Sequence, residues 1–470
     1  MNIWRNWWEM VERLRPACSR TRTFLWLAVG LAGMTVRRDL LGVTSFVRAL
    51  GLAERNYDRI LDFFHSPALD LRKLTQAWVR AVFQTHPRLL RINGRPVLVG
   101  DGIKVGKSGK KMPGVKLLHQ ESESNTKPEY ITGHSCQAVA VLAQALQSVF
   151  AIPLAGRIHE GVVFSNRDQR TLLDKMVALV ESLELEAKCY FVADAYYASG
   201  KVVKGLLNQG HHLVTRVRKN AVAYWPAPAP AKPQGPGRPR TYGEKVLLKS
   251  LLENPESMVT APSPVYGEKG TDLRFRDFDL LWRPVGILVR FVLVVHPQRG
   301  SMILMCTDLT LAPLEIIRLY GLRFKIEVAF KQALRTVGAY AYHFWMKAMT
   351  PIKKSSGDQY LHRKTDAYRA EVSRKIAAYH RHIQIGLIAQ GLLQLLASTH
   401  PQLVWAHFGS WIRTLRPGIP PSELVAAIAM RNTLPEFLAD SSESNTFTKF
   451  LRERIDVSRT EGLRMIAVNE

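Results

Sequence analysis

The spacing of apolar residues changes character along the chain. Over residues 1 to about 90 apolar side chains recur every three or four positions. In "SFVRALGLAERNYDRILDFFHS" Arg48, Arg55 and Arg59 stand between them. That spacing predicts amphipathic helices. One stretch, "TFLWLAVGLAGMTV" (23–36), is apolar all round, as a helix buried on every side would be. It is shorter than the ~18–20 residues that span a bilayer.

At "RPVLVGDGIKVGKSGKK" (95–111) the pattern turns to short β-forming runs. Val97 to Val99 predicts a strand that ends at Gly100-Asp101-Gly102, with strand character resuming at Ile103. The glycines would leave room beside Asp101 for another molecule's backbone. "HSCQAVAVLAQALQSVFAIPLAG" predicts more strand, and "RDQRTLLDKMVALVESLELE" a helix of 3.6-residue period. "AKCYFVADAYYASG" predicts a buried strand, Cys189 to Ala193, ending at Asp194 just before another helix. Strands followed by helices indicate an α/β core.

"AYWPAPAPAKPQGPGRPRTYGEK" (223–245) reads as a linker or an excursion from that core. Its "PGRPR" has the letters of a minor-groove AT-hook, which a Pro-rich basic linker also produces by chance. "DLRFRDFDLLW", "GILVRFVLVVHP" and "SMILMCTDL" alternate as consecutive antiparallel strands would. "YGLRFKIEVAFKQ" (320–332) reads as a buried helix, and residues 341–470 as helical and basic.

Charge narrows the choice of partner. The 470 residues carry a formal net charge of +26, spread along the whole length. A polyanion would neutralise it, and nucleic acid is the first candidate. No run is long enough to span a membrane, and the first twenty residues lack the apolar core of a secretory signal. Cys18, Cys136, Cys189 and Cys306 lie far apart without a CxxC pair, which argues against a zinc ribbon and a disulfide scaffold and for a reducing cytoplasm. His134, His211 and His212 have no acidic partner at motif spacing and read as structural or DNA-facing. No G-x-S-x-G elbow and no P-loop is present.

Three acids stand out by position: Asp101 and Asp194 at strand ends, and Glu327 on the apolar helix. Converging carboxylates repel unless cations join them, and hard divalent cations take oxygen ligands. Two such ions about 3.5–4 Å apart serve phosphodiester chemistry. Each acid also has a plainer role. The aspartates fit helix caps or turns, and Glu327 fits i,i+4 pairing with Arg323 and Lys331. The many large apolar residues around Glu327 favour a buried polar seam.

The segments around these acids resemble the DDE transposases of bacterial insertion sequences, in particular an IS-four-like branch. In that branch the glutamate helix reads Tyr, two residues, Arg, three residues, Glu, six residues, Lys. Tyr320, Arg323 and Glu327 match; Leu334 stands at the lysine position, with Lys331 and Arg335 beside it. "VGDGIK" offers the first aspartate and "FVADAYY" the second, 93 residues apart; Glu327 follows after 133 more. The resemblance covers roughly 95–345.

The resemblance implies an α/β fold: a ribonuclease-H-like core interrupted by a mostly β insertion and flanked by helical terminal regions. The expected division is 1–90 (helical, DNA-binding), 91–220 (first part of the core), 221–312 (insertion with its linker), 313–345 (the glutamate helix) and 346–470 (helical, for DNA contact or dimerisation). Asp101, Asp194 and Glu327 would hold two Mg²⁺ or Mn²⁺ ions, with Asp101 bridging them. Tyr320, Arg323 and Lys331 would grip phosphates, and Lys104, Arg216, Arg218 and Lys219 are further expected backbone contacts. Trp282 and Trp225 are candidates for base stacking, although core packing suits Trp282 better.

The implied function is transposition, with cut-and-paste as the expected route. The protein would bind terminal inverted repeats, cut the double-stranded DNA and transfer strands to target DNA, acting as a homodimer in the synapsed state. The expected setting is a bacterial cytoplasm, at the nucleoid, with no membrane partner. A ribonuclease-H-like nuclease without strand transfer, or a domesticated DNA-binding protein without activity, are the rivals.

Overall fold

A computed structural model describes residues 2–120, 128–228, 240–253, 257–409, 418–440, 445–456 and 458. The chain opens with helices α1 (Ile3–Glu12), α2 (Thr21–Val36), α3 (Thr44–Ala49), α4 (Asn56–His65) and α5 (Leu71–Thr85). Strands β1 (Arg91–Ile92), β2 (Arg95–Gly106), β3 (Lys116–His119), β4 (Tyr130–Ala145), β5 (Ser148–Ile158) and β6 (Val162–Val163) follow. Next come α6 (Leu172–Glu181), β7 (Tyr190–Ala193), α7 (Gly200–Asn208) and β8 (His212–Val217). Then come β9 (Val222–Pro226), β10 (Tyr242–Leu247), β11 (Val259–Pro262), β12 (Asp272–Trp282), β13 (Ile287–His296) and β14 (Gly300–Cys306). The chain continues through α8 (Pro313–Gly321), α9 (Lys325–Arg335), β15 (Gln359–Tyr360), α10 (Asp366–Thr399), α11 (Pro401–Phe408), α12 (Glu423–Ala439) and α13 (Thr446–Arg452).

One large mixed sheet runs through the molecule in the order β10-β9-β12-β13-β14-β8-β7-β2-β4-β3, with β5 on β4. Its middle is parallel: Val97–Val99 pairs with Tyr190–Val192, and Tyr190–Ala193 with His212–Thr215. Strands in such a position are covered on both faces and need apolar residues throughout. Val97, Leu98, Val99 and all of β7 are accordingly fully buried.

Alternation sorts these side chains between two cores. Val97, Val99, Tyr190 and Val192 pack with Ile316, Leu319, Ile326 and Phe330 of α8 and α9. Leu98, Phe191 and Ala193 belong to the opposite core, which they share with the helical layer. In that layer α2 packs against α3, α4, α10, α12 and α13, which explains its apolar circumference. The layer also merges the two ends of the chain, because α1 packs on α10 and α12. The helices of residues 1–90 and those after 346 therefore share one core rather than standing apart.

Four sequence expectations are corrected. Asp101 is not at a strand end: β2 runs unbroken past it, because β4 pairs with Leu98 to Gly106. The "YGLRFKIEVAFKQ" helix is two helices, α8 and α9, joined by the turn Leu322–Phe324 and three-residue hydrogen bonds such as Arg323 N to Tyr320 O, 3.1 Å. It is buried on one face only, since Phe324, Glu327, Val328, Lys331 and Leu334 are exposed. Residues 341–365 are largely irregular, not helical.

Residues 223–226 and 242–245 lie in β9 and β10, paired with each other, so the linker's ends are strands. Residues 236–239 of "PGRPR" lie outside the described residues. The alternating segments after it form the expected antiparallel run β12-β13-β14, and β14 joins β8, extending the same sheet. No helix among the described residues is long and apolar enough to cross a membrane. All four cysteines are buried free thiols.

Gly100 has an internal cause. A Cβ there would lie 2.2 Å from the Phe191 ring. Gly100→Ala is expected to destabilise the fold by about 1–3 kcal/mol, the range for overpacking, measurable by urea unfolding. Unchanged stability would mean that the Phe191 ring gives way without cost.

Candidate active site

The parallel pairing of β2 and β7 aligns the two aspartates. Val99 stands opposite Val192, so two residues further on Asp101 and Asp194 emerge side by side. Both share the parity of Val97, Val99, Tyr190 and Val192, and so point to the face that α8 and α9 cover. On that face the turn between the helices presents Arg323, and the first turn of α9 presents Glu327.

Arg323 ties the site together. Its Nη1 donates to Asp101 Oδ2 at 3.2 Å and its Nη2 to Glu327 Oε1 at 2.8 Å. Asp101 Oδ1 also accepts the Gly102 N–H at 2.7 Å. Asp194 plays the plainer role as well: its Oδ1 accepts the Tyr196 N–H at 3.0 Å, capping the turn that follows β7. Its carbonyl accepts the Thr215 hydroxyl at 2.7 Å, which anchors it to β8.

The carboxylates strain one another. Burial, then the neighbouring Asp194, push Asp101 up to about 6; Glu327 adds to this, while the Gly102 N–H and Arg323 oppose it. Burial would lower Arg323, but Asp101 and Glu327 more than offset it and hold the guanidinium charged. Tyr320 is raised by burial and lies within electrostatic reach of Arg323, Arg216 and Asp194.

Oxygen donors of this kind suit a hard divalent cation. Among the described residues no three Asp, Glu, His or Cys side chains stand close enough to hold a metal ion. The reason is visible: the guanidinium stands between Asp101 and Glu327, supplying the positive charge that ions would otherwise bring. The donor chemistry fits, and Arg323 would have to turn aside for it to be used.

The structure therefore brings together Asp101, Asp194, Glu327, Tyr320, Arg323 and Arg216. Lys104 lines the cleft of about 700 Å³ that runs from the two aspartates past Lys116 and Glu160. Arg218, Lys219 and Lys331 are exposed, and among the described ion pairs Glu327 joins Arg323, not Lys331. Trp282 is 6% exposed and packed in the core, the role that suited it better than stacking. Trp225 is 38% exposed, with Phe278 edge-on at 6.0 Å. His134 is structural, bonded between Tyr342 OH at 2.8 Å and Pro113 O at 2.9 Å.

Sequence reasoning missed a polar chain beneath the cleft. Gln137 Nε2 donates to the Tyr197 hydroxyl at 3.0 Å, and Gln137 Oε1 bonds to His159 Nδ1. Burial and the nearby Lys175, Arg157 and Arg170 push His159 down to about 3, so it is neutral. Its Nδ1–H then faces the amide oxygen, and the Tyr197 hydroxyl, which lines the cleft, accepts from Gln137. A glutamine in the apolar strand "HSCQAVAVL" was the available signal.

The raised Asp101 has a consequence for stability. The folded state holds this proton more tightly than the unfolded chain, so stability falls as pH rises from about 4 through about 6. Asp101→Asn is expected to stabilise the metal-free protein at pH 8 by on the order of 1–3 kcal/mol, a gain that vanishes near pH 4. Thermal unfolding in chelator across this range checks it; a variant less stable at pH 8 would refute it.

Residues 13–275, more than half of the chain, match the family described as DDE superfamily endonuclease. Asp101 and Asp194 fall inside the match and Glu327 beyond it. A solved piggyBac transposase synaptic complex with hairpin DNA aligns over 92% of this chain and 77% of that chain. Identity is 12% and the TM-score 0.38, a likeness too loose to carry an argument. No curated protein matches the chain.

Proposed function

The chain belongs to the DDE superfamily endonucleases, and from that membership we propose that it is a DNA transposase of the IS-four-like kind. It would cut DNA at the terminal inverted repeats of a bacterial mobile element and join the freed ends to target DNA. The observation that carries this reading is the Arg323 bridge between Asp101 and Glu327, with Asp194 in register beside Asp101. The order β5-β4-β2-β7-β8, antiparallel and then parallel, supports a ribonuclease-H-like core, with β9 to β14 as the insertion.

Asp101, Asp194 and Glu327 would hold divalent cations, Mg²⁺ or Mn²⁺. When bound, such ions activate the attacking oxygen and stabilise the leaving one. Arg323, freed from the carboxylates, would turn to a phosphate flanking the cut, with Tyr320 and Arg216 beside it. These groups place the backbone and read no sequence. Lys104 would hold the strand in the cleft, and Tyr197 would donate its proton there from a hydroxyl fixed by Gln137. Synapsis of two ends would need two copies of the chain.

The test is Mg²⁺- or Mn²⁺-dependent cleavage of DNA carrying the element's ends, comparing the natural chain with Glu327→Gln. End binding should survive in the variant. Cleavage should fall by more than the roughly 10–100-fold loss typical of an outer-shell partner. Cleavage without joining of ends would favour a nuclease that transfers nothing. Binding without metal-dependent cutting by either protein would overturn the enzymatic reading.

A further inference from the structure

Trp345 is 64% exposed, the most exposed aromatic side chain among the described residues. Its indole offers a broad apolar face with one N–H donor to a partner. Its backbone does not move freely, because the segment alternates: Phe344 (3%) and Met346 (0%) are buried on either side, while His343, Trp345 and Lys347 face out. The Tyr379 hydroxyl donates to Phe344 O at 2.6 Å, and Met346 N–H to Lys111 O at 2.9 Å. Lys111 Nζ returns a bond to Lys347 O at 3.2 Å. Gly109 lies under the indole, where a Cβ would approach Trp345 Nε1 to 3.1 Å. The ring is thus displayed on a rigid, doubly tied platform.

Its two segments lack acids. No Asp or Glu occurs between Asp101 and Glu121, nor between Glu327 and Asp358. Exposed Lys110, Lys347, Lys353 and Lys354 belong to these stretches. A flat apolar ring on segments that carry these exposed lysines complements a polyanion with stackable faces. β2 runs from the candidate active site at Asp101 to Gly106, immediately before the 107–111 segment.

We propose that the segments 107–111 and 343–347 form a binding platform for single-stranded DNA, with Trp345 stacking on a base and Lys110 and Lys347 pairing with phosphates. This rests on the DNA-cleavage reading above and adds a second contact surface to it.

The test measures binding of two fluorescein-labelled probes, a blunt duplex and the same duplex with a single-stranded tail. The proteins are the full chain, Trp345→Ala, Trp345→Phe, and Lys110→Ala combined with Lys347→Ala. Trp345→Ala should weaken the tailed probe by about 5–160-fold, the cost of one base–aromatic stack, and leave the blunt probe unchanged. Trp345→Phe should restore most of the loss. The lysine pair should reduce the slope of log affinity against log salt by about 1.5. All variants should melt with the natural chain, since the altered side chains are exposed. Equal loss on both probes, or no loss with Trp345→Ala, would overturn the platform. Failure of the natural chain to bind either probe would instead sink the DNA-cleavage reading.

Discussion

The parallel pairing of β2 with β7 is the constraint on which the candidate site depends. It buries Val97–Val99 and Tyr190–Ala193 on both faces and so fixes their register. A slip of one residue would exchange the two cores and turn Asp101 and Asp194 to opposite sides. Gly100 belongs to the same constraint, because it yields its side-chain space to Phe191 of the neighbouring strand. The aspartates are therefore adjacent by virtue of packing that takes place below them.

That adjacency has a cost, and Arg323 offsets part of it. Two aspartates and a glutamate near one another would be unfavourable without positive charge. Its location in the turn between α8 and α9 lets one guanidinium reach Asp101 and Glu327 together. A continuous helix would have kept it on one line with Glu327. The arrangement fits a site whose strain is accepted for the sake of what it binds.

Around this centre the positive charge is organised more than its even spread along the chain suggests. Exposed Arg218 and Lys219 follow β8, and exposed Lys110 and Lys347 follow β2 and α9. The helical layer has another task. It draws both ends of the chain into one core and backs the sheet through α10 against β5.

The sequence by itself determined the alternation of helix and strand, the buried character of 23–36 and β7, and the three acids with Tyr320 and Arg323. These are local: periodicity, apolar runs and motif spacing are properties of neighbouring residues. It did not show that β2 continues past Asp101, since that depends on β4 lying alongside. The break at Leu322–Phe324 and the exposure of Glu327 were equally hidden, because only the packed face of α9 decides them. Tryptophans make the contrast plainest. Trp282 and Trp345 are the same residue type in apolar surroundings, yet one fills a core and the other faces water. Burial is a relation between segments far apart in the chain, and only the tertiary structure brings those segments together.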